Sequence, residues 1–488
     1  MLFNSAVFLQ FFAAFLLLYW LVRNSSPARN LLIVAASYLF YGWWAPESAA
    51  SLSESFNYFL GVLWHCRFLG LLVATSVFDF FVGLGLARLT NPGPRKLLVA
   101  ASVAANLGVL GFFKYCNFFT QSVSAALQSM GIEAGLHSLN VVLPVGISFY
   151  TFQSMSYTID VYRGQLASTR RMVDFLAFVS FFPQLVAGPI ERASHLLPQF
   201  QQTRVITRAM LEEGIWLILW GLFKKVVIAD NFAPLVEMVY GNSAYTGPTV
   251  ILGTVAFALQ IYCDFSGYSD IARGTARVLG FDIMWNFHIP YAATSPREFW
   301  RRWHISLSTW LRDYLYISLG GNRRGTGRTY FNLTVTMLLG GLWHGAAWHF
   351  VLWGLWHGGG LVAQRACGRD RLEPDGNRPL RILSWAGTMA FVLYGWLLFR
   401  AKSLAQISSM TRALVDFSCP LWTGGFVLNL VVFASPLIAM ELWMTRTRNQ
   451  LVPLSLRTPV RSLLQGVMLV AIVIFWERKE VPFIYFAF

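Results

Sequence analysis

The sequence predicts an all-α, polytopic transmembrane protein with about eleven spans or more and additional re-entrant helices. Three observations carry this. Hydrophobic residues make up 56% of the 488-residue chain and charged residues only 12%, with a mean hydropathy of +0.52. A soluble domain carries about 25% charged residues, so half the usual charge is missing. Second, apolar stretches approaching the ~20 residues needed to cross a bilayer recur along the whole chain. Third, the basic residues come in bursts between those stretches, as cytoplasmic loops do under the positive-inside rule. The net charge of +15 therefore reports topology, and no nucleic-acid partner is expected.

The first stretch, 3–22, has no basic region before it and no convincing small-residue cleavage site after it. It reads as a retained span rather than a signal peptide. Further spans are expected near 30–45, 69–88, 97–113, 212–229, 249–263, 330–343, 347–364, 382–399, 424–443 and 462–476. Stretches 141–160, 173–190 and 303–319 carry Pro, Gly, Ser, Gln and Asp, so broken or re-entrant helices are expected there. Irregular backbone at membrane depth survives only inside protein or along a wet cavity, which points to a hollow interior near the middle of the chain. The bursts include Arg23 with Arg29, Arg88 with Arg95 and Lys96, and Arg365 with Arg369, Arg371, Arg378 and Arg381. Assigning them to the cytoplasm puts both termini outside, with Arg400 and Lys402 as a mild exception. Residues 1–488 then form one integral membrane domain, since the longest hydrophilic stretch, 365–381, is too short to fold alone. Cys66, Cys116, Cys263, Cys367 and Cys419 are scattered without a CxxC, so neither a zinc site nor a disulfide framework is indicated.

Ionisable residues inside apolar segments are costly and mark function or pairing. Asp264 and Asp270 lie near membrane depth, and backbone hydrogen bonding at a broken helix would account for both. Residues 295–310 alternate Arg with aromatic side chains around His304, which suits an interfacial helix with snorkelling arginines. His344 ends an apolar run beside Gly340, Gly341 and Gly345, which strip bulk from around it and leave room for a ligand. His344, His349 and His357 are five and eight residues apart. At ~100° per residue His344 and His349 face different ways, and the i, i+4 spacing of a helical zinc pair is missing, so no metal site is expected.

Acyl transfer from a thioester to a hydroxyl needs a base near neutral pKa and donors for the oxyanion. His344 as base, with His304 as a donor or orienting partner, meets the first need. A polysaccharide or lipid transporter without covalent chemistry is the alternative from a different class. The absence of an internal repeat counts mildly against it.

Several blocks resemble the membrane-bound O-acyltransferase family, and within it the bacterial branch of alginate O-acetyltransferase membrane subunits. They are Tyr41-Gly-Trp-Trp44, Leu143–Phe152, Phe182–Pro189, Asp264–Asp270, Ser295–Asn322 and Gly340–Trp348, so the likeness covers nearly the whole chain. The resemblance implies helices surrounding a transmembrane tunnel. It implies catalytic roles for His344 and His304, with Trp343, Trp303, Asp264, Asp270 and Ser306 as tunnel or supporting residues. It also implies acetyl-CoA as cytoplasmic donor, no permanently bound cofactor, and a separate extracytoplasmic acetyltransferase that serves a polysaccharide such as alginate or cellulose. Peptidoglycan acetylation and teichoic acid D-alanylation are the alternatives within the same chemistry. Basic loops would attract the donor's phosphates.

The last six residues, 483–488, fit Phe-x-Tyr-x-x-Phe, which resembles a terminal signature of related systems in which the tyrosine carries the acyl group. Tyr485 is the corresponding hydroxyl, and an aromatic interfacial anchor is the plainer alternative. One departure from the family is the insertion at 46–67, expected as a re-entrant hairpin or an outside docking surface.

Overall fold

The computed structural model describes residues 1–43, 52–132, 139, 141–185, 188–368, 378–476 and 483–484, with the backbone alone over 52–66. Among these residues all regular structure is helical. The chain divides into two compact units, Met1–Gly214 with Thr275–Ile283, and Ile215–Gly274 with Met284–Phe488.

The first unit is built from α1 (Ala6–Val22), α2 (Ser26–Gly42), α3 (Leu52–Arg88), α4 (Pro92–Ser129), α5 (Ile147–Tyr162), α6 (Met172–Ser180), α7 (Phe182–Leu185), α8 (Ala193–Gln201) and the start of α9 (Arg208–Leu222), whose remainder from Ile215 belongs to the second unit. Phe11, Phe15 and Phe40 close around Phe182 with edge-on or tilted rings, and Phe8 stands edge-on against Phe40. Polar groups inside are paired, as burial demands. The Arg29 guanidinium donates to the carbonyls of Phe200 and Gln202, and Asn30 Nδ2 donates to Asp174 at 2.9 Å. Asp79 of α3 accepts from Ser102 and Asn106 of α4 and from Ser154 of α5. The part of the 46–67 insertion from Leu52 onward belongs to a single 37-residue helix, not to a hairpin. Residues 46–51 lie outside the described residues.

The second unit contains the π-helical turn Phe223–Ala229, α10 (Asp230–Tyr240), most of α11 (Gly247–Val278), α12 (Pro296–Arg302), α13 (Ile305–Trp310), the π-turn Leu311–Tyr316, α14 (Thr326–His344), α15 (Trp348–Ala366), α16 (Arg378–Arg400), α17 (Leu404–Ala413), α18 (Thr423–Thr447) and α19 (Thr458–Phe475). Gly221 and Gly267 let the chain leading into the first π-turn approach α11. A Cβ on Gly267 would stand 2.7 Å from the Gly221 carbonyl oxygen, and one on Gly221 would stand 2.5 Å from that of Gly267. Small residues serve this purpose where helices must pack closely in lipid.

Six helices among the described residues are long and apolar enough to cross a membrane: Arg67–Arg88 of α3, α4, α11, α16, α18 and α19. The other stretches expected to span form shorter or more polar helices, α1 with 17 residues among them. Only 11% of the apolar window of α19 is buried, against 72% for α11. Exposed apolar surface on that scale requires a lipid solvent, and α11 is the interior helix of the set.

α11 runs unbroken through Asp264 and Asp270, so the break expected there is absent. Instead the π-turn presents two buried lysines to α11. Lys224 Nζ meets Asp270 at 2.7 Å, and Lys225 Nζ meets Asp264 at 2.6 Å and Asp230 at 2.8 Å. An unpaired charge at such depth would cost several kcal/mol, and each of these charges has an opposite partner.

Candidate active site

α12 and α13 meet at Trp303 and His304, and the loop 284–293 is stitched to that junction by its backbone. The His288 N–H donates to the Arg302 carbonyl and the Ile305 N–H to the Asn286 carbonyl, both at 2.9 Å. His304 itself adopts a left-handed conformation with φ 43°. A non-glycine residue held there stores roughly 1 kcal/mol or more of strain, a feature concentrated at functional sites. The surrounding stitches supply the over-determination that such strain needs.

Asn286 fixes the His304 ring. Its Oδ1 accepts the Ser306 backbone N–H at 3.3 Å and the Ser306 hydroxyl at 2.9 Å, while its Nδ2 donates to Ser269 at 3.1 Å. Since Oδ1 can only accept, His304 Nδ1, 3.1 Å away, must carry the proton. Nε2 is then the acceptor nitrogen of a neutral ring. His304 lies outside the six long apolar helices and is fully buried, and burial lowers its pKa, which keeps it neutral.

His344 is the last residue of α14 and is 5% exposed. Its ring lies 6.4 Å from that of His304, centroid to centroid. Trp343, Trp353 and Phe399 enclose it, all edge-on at 5.1 to 5.2 Å. The two histidines can therefore address one reacting group inside an aromatic, water-poor shell.

The glycines around His344 do not leave the space expected of them. A Cβ on Gly341 would overlap the Phe350 carbonyl oxygen, one on Gly345 would overlap the Phe350 ring, and one on Gly340 would stand 3.1 Å from Leu311 Cδ1. From the other side, a Cβ on Gly354 would stand 2.5 Å from the Met337 carbonyl oxygen. These residues bring α14 and α15 into backbone contact and so fix where α14 delivers His344.

The open space lies just beyond. A cavity of about 800 Å³ is bordered by Gly345, Ala346 and Ala347, the residues following His344, and by His349 and Phe350. Part of its wall is ionic, made of Lys225, Asp230 and Asp264. Glu237, Arg400 and Lys402 also line it, with Glu237 bridging Arg400 at 2.7 Å and Lys402 at 3.2 Å. Ile484, near the C-terminus, is part of the wall.

The membrane-bound O-acyltransferase (MBOAT) family model matches residues 164–408, which contain both histidines. The probable alginate O-acetylase AlgI of Azotobacter vinelandii is 46% identical over 422 residues, 86% of this chain and 78% of the relative. The chain belongs to the membrane-bound O-acyltransferase family. It is an O-acyltransferase and a polytopic membrane protein. More distant relatives include the peptidoglycan O-acetyltransferase of Helicobacter pylori, 34% identical over 389 residues, 74% of this chain and 72% of the relative. The teichoic acid D-alanyltransferase of Streptococcus thermophilus is 29% identical over 268 residues, 47% of this chain and 63% of the relative.

Three of the six family blocks named from the sequence, Asp264–Asp270, Ser295–Asn322 and Gly340–Trp348, lie in the second unit, where their residues have different roles. His304, Ser306, Trp343 and His344 form one cluster. Trp303 is a core ring, packed on Trp396 at 4.7 Å and Phe287 at 5.0 Å. Asp264 borders the cavity. Asp270 pairs with Lys224, which also donates to Ser266 at 2.9 Å. Tyr485 lies outside the described residues. Sequence reasoning missed Lys224 and Lys225, although two lysines in an apolar stretch were a readable signal of intramembrane ionisable groups. It missed Glu441, which accepts from Tyr262 inside α18, for which the same signal existed. Asn286 and Trp353 carried no signal.

Proposed function

We propose that this O-acyltransferase takes acetyl from acetyl-CoA on the cytoplasmic side of the bacterial inner membrane and delivers it outside. The delivered acetyl serves O-acetylation of a secreted polysaccharide such as alginate or cellulose. The observation that carries this reading is the buried His344–His304 pair beside a cavity whose wall includes the chain's own C-terminal segment. The likeness to an alginate O-acetylase at 46% identity favours a polysaccharide acceptor over peptidoglycan, whose acetyltransferase is matched at 34%.

In this reading the first acceptor is the phenol of Tyr485. His344 removes the phenolic proton as the oxygen attacks the thioester carbonyl carbon. The C–S bond then breaks, and the departing thiolate takes the proton back from His344. With Nδ1–H committed to Asn286, the Nε2 of His304 orients the hydroxyl rather than donating to the oxyanion. The indole N–H of Trp353, buried and without a hydrogen-bond acceptor among the described residues, is a candidate oxyanion donor. A hydrogen bond in such a dry shell is stronger than in water. A separate extracytoplasmic acetyltransferase then collects the acetyl from Tyr485 and passes it to the polymer. Helices around a transmembrane tunnel, with both termini outside, complete this proposal.

Labelled acetyl-CoA and the purified protein test it. His344→Ala should lower label transfer to the chain by at least about 100-fold, the range of a lost general base. Tyr485→Phe should abolish label on the chain and polymer acetylation in cells while the protein stays folded. Near-normal polymer acetylation in Tyr485→Phe sinks the relay. Substrate movement without any dependence on acetyl-CoA would instead reveal a transporter.

A further inference from the structure

Phe483 and Ile484 are fixed within the second unit by a hydrogen bond and by ring packing. The Ile484 backbone N–H donates to Asp264 Oδ2 at 2.7 Å, and both residues are buried. The other carboxylate oxygen of Asp264 lies 2.6 Å from Lys225 Nζ, and Asp230 holds the same ammonium from a second side at 2.8 Å. Lys225 thus fixes the carboxylate and leaves Oδ2 for the tail. The Phe483 ring packs on Tyr268 at 4.7 Å and on Phe265 at 5.8 Å. Phe265 in turn stands edge-on against His304 at 4.7 Å. Lys225, Asp230, Asp264 and Ile484 border the same cavity as Gly345 and Ala346, the two residues after His344.

We infer that Asp264, held by Lys225, is a positioning residue that clamps the backbone at Ile484 to the cavity wall. A carboxylate gripping a backbone N–H makes a short, charge-assisted bond. It reads the position of the chain and not its side chain. It also gives the buried Lys225–Asp264 pair a task that pairing alone does not explain, since apolar residues of similar volume often stabilise as well. The clamp stands on its own geometry, but its catalytic purpose rests on the Tyr485 relay proposed above.

Asp264→Asn tests the clamp in the full-length protein. The single acceptor oxygen of the amide is claimed by Lys225, so its NH₂ faces the Ile484 N–H and the tail is released without loss of volume. Hydrogen–deuterium exchange of the C-terminal peptide should show the Ile484 amide protected at least about tenfold in the wild type and unprotected in Asp264→Asn, with α11 peptides unchanged. Ile484→Pro, which removes the donor and leaves Asp264 and Lys225 as they are, should match Asp264→Asn in activity. Both should lower acetyl-tyrosine formation at least about tenfold while KM for acetyl-CoA holds, whereas a merely structural defect would move both. Equal protection in wild type and Asp264→Asn overturns the clamp. Lost protection with unaltered acetyl transfer overturns its positioning role. Failure of the relay itself is distinguishable, because Tyr485→Phe would then acetylate polymer normally while the Ile484 amide stayed protected.

Discussion

Asp79 in the first unit and Asp264 in the second are both carboxylates buried in long apolar helices, yet they are satisfied in opposite ways. Asp79 is surrounded by neutral donors, two serine hydroxyls and an asparagine amide, which tie α3 to α4 and α5. Asp264 meets a buried ammonium and a backbone N–H, and it borders a cavity beside His344. The difference teaches that depth alone does not mark a functional carboxylate. A carboxylate enclosed by neutral donors within one helix cluster is cement. One that combines a counter-charge, a wall position and a backbone N–H from a distant part of the chain can take part in chemistry. Substitutions in the two units should therefore separate stability from activity.

The largest effect is expected where α14 and α15 touch. Gly341→Val would press a side chain into the Phe350 carbonyl and into Gly354, whose Cα would lie 3.2 Å from the new Cβ. Backbone cannot yield as a flexible side-chain tip can, so the helices must part and carry His344 with them. A displacement near 1 Å can cost about 100-fold in turnover. Steady-state acyl transfer on purified protein measures this, and turnover within a factor of a few of wild type would show that the glycines do not fix His344.

Asp79→Leu should do the reverse. It leaves the hydroxyls of Ser102 and Ser154 and the Asn106 amide without their shared acceptor. Each unsatisfied buried group costs about 1–3 kcal/mol. Ser102 retains contact with Thr158, and Asn106 still donates to the Ser102 carbonyl, so a total of about 3 kcal/mol is expected. The unfolding midpoint in detergent should fall clearly while activity per folded molecule stays near wild type. A large loss of turnover at unchanged stability would erase the contrast between the two carboxylates.

Much of this was legible in the sequence because lipid leaves few choices. Helical class and the irregular stretches at 141–146 and 311–319 followed from apolar runs interrupted by polar residues, and the same reading singled out His304 and His344, whose rings the structure brings together. What was not legible depended on partners distant in the chain. The glycines beside His344 looked like space for a ligand because their occupants, Phe350 and the backbone at Gly354, arrive from the next helix. Asp264 and Asp270 were expected to bond backbone at a broken helix. Their partners Lys224 and Lys225 sit some forty residues earlier, on a π-turn with no pattern of its own. Asn286, which decides the tautomer of His304, lies in an ordinary-looking loop.

The smallest expected effect concerns a third carboxylate arrangement, in the first unit and outside the spanning helices. Asp282 lies 3.6 Å from His195 Nε2, and Glu191 lies 2.9 Å from Nδ1. These two carboxylates push the His195 pKa up to about 10. A histidine whose pKa is raised on folding contributes stability that is fully present below its unfolded value of about 6.5. That contribution is lost progressively as pH rises from there towards about 10. The His195 and Asp282 side chains are 43% and 42% exposed, so solvent screening should keep the contribution below about 1 kcal/mol. Unfolding midpoints measured across this window should decline more steeply for the wild type than for His195→Gln, whose neutral amide keeps a hydrogen bond but no titrating charge. Turnover should not follow the same curve, because His195 belongs to the scaffold rather than to the His344 cluster. Parallel stability profiles for the two proteins would show that His195 titrates as it would in water. A shared pH curve for stability and turnover would instead join this part of the first unit to the chemistry of the second.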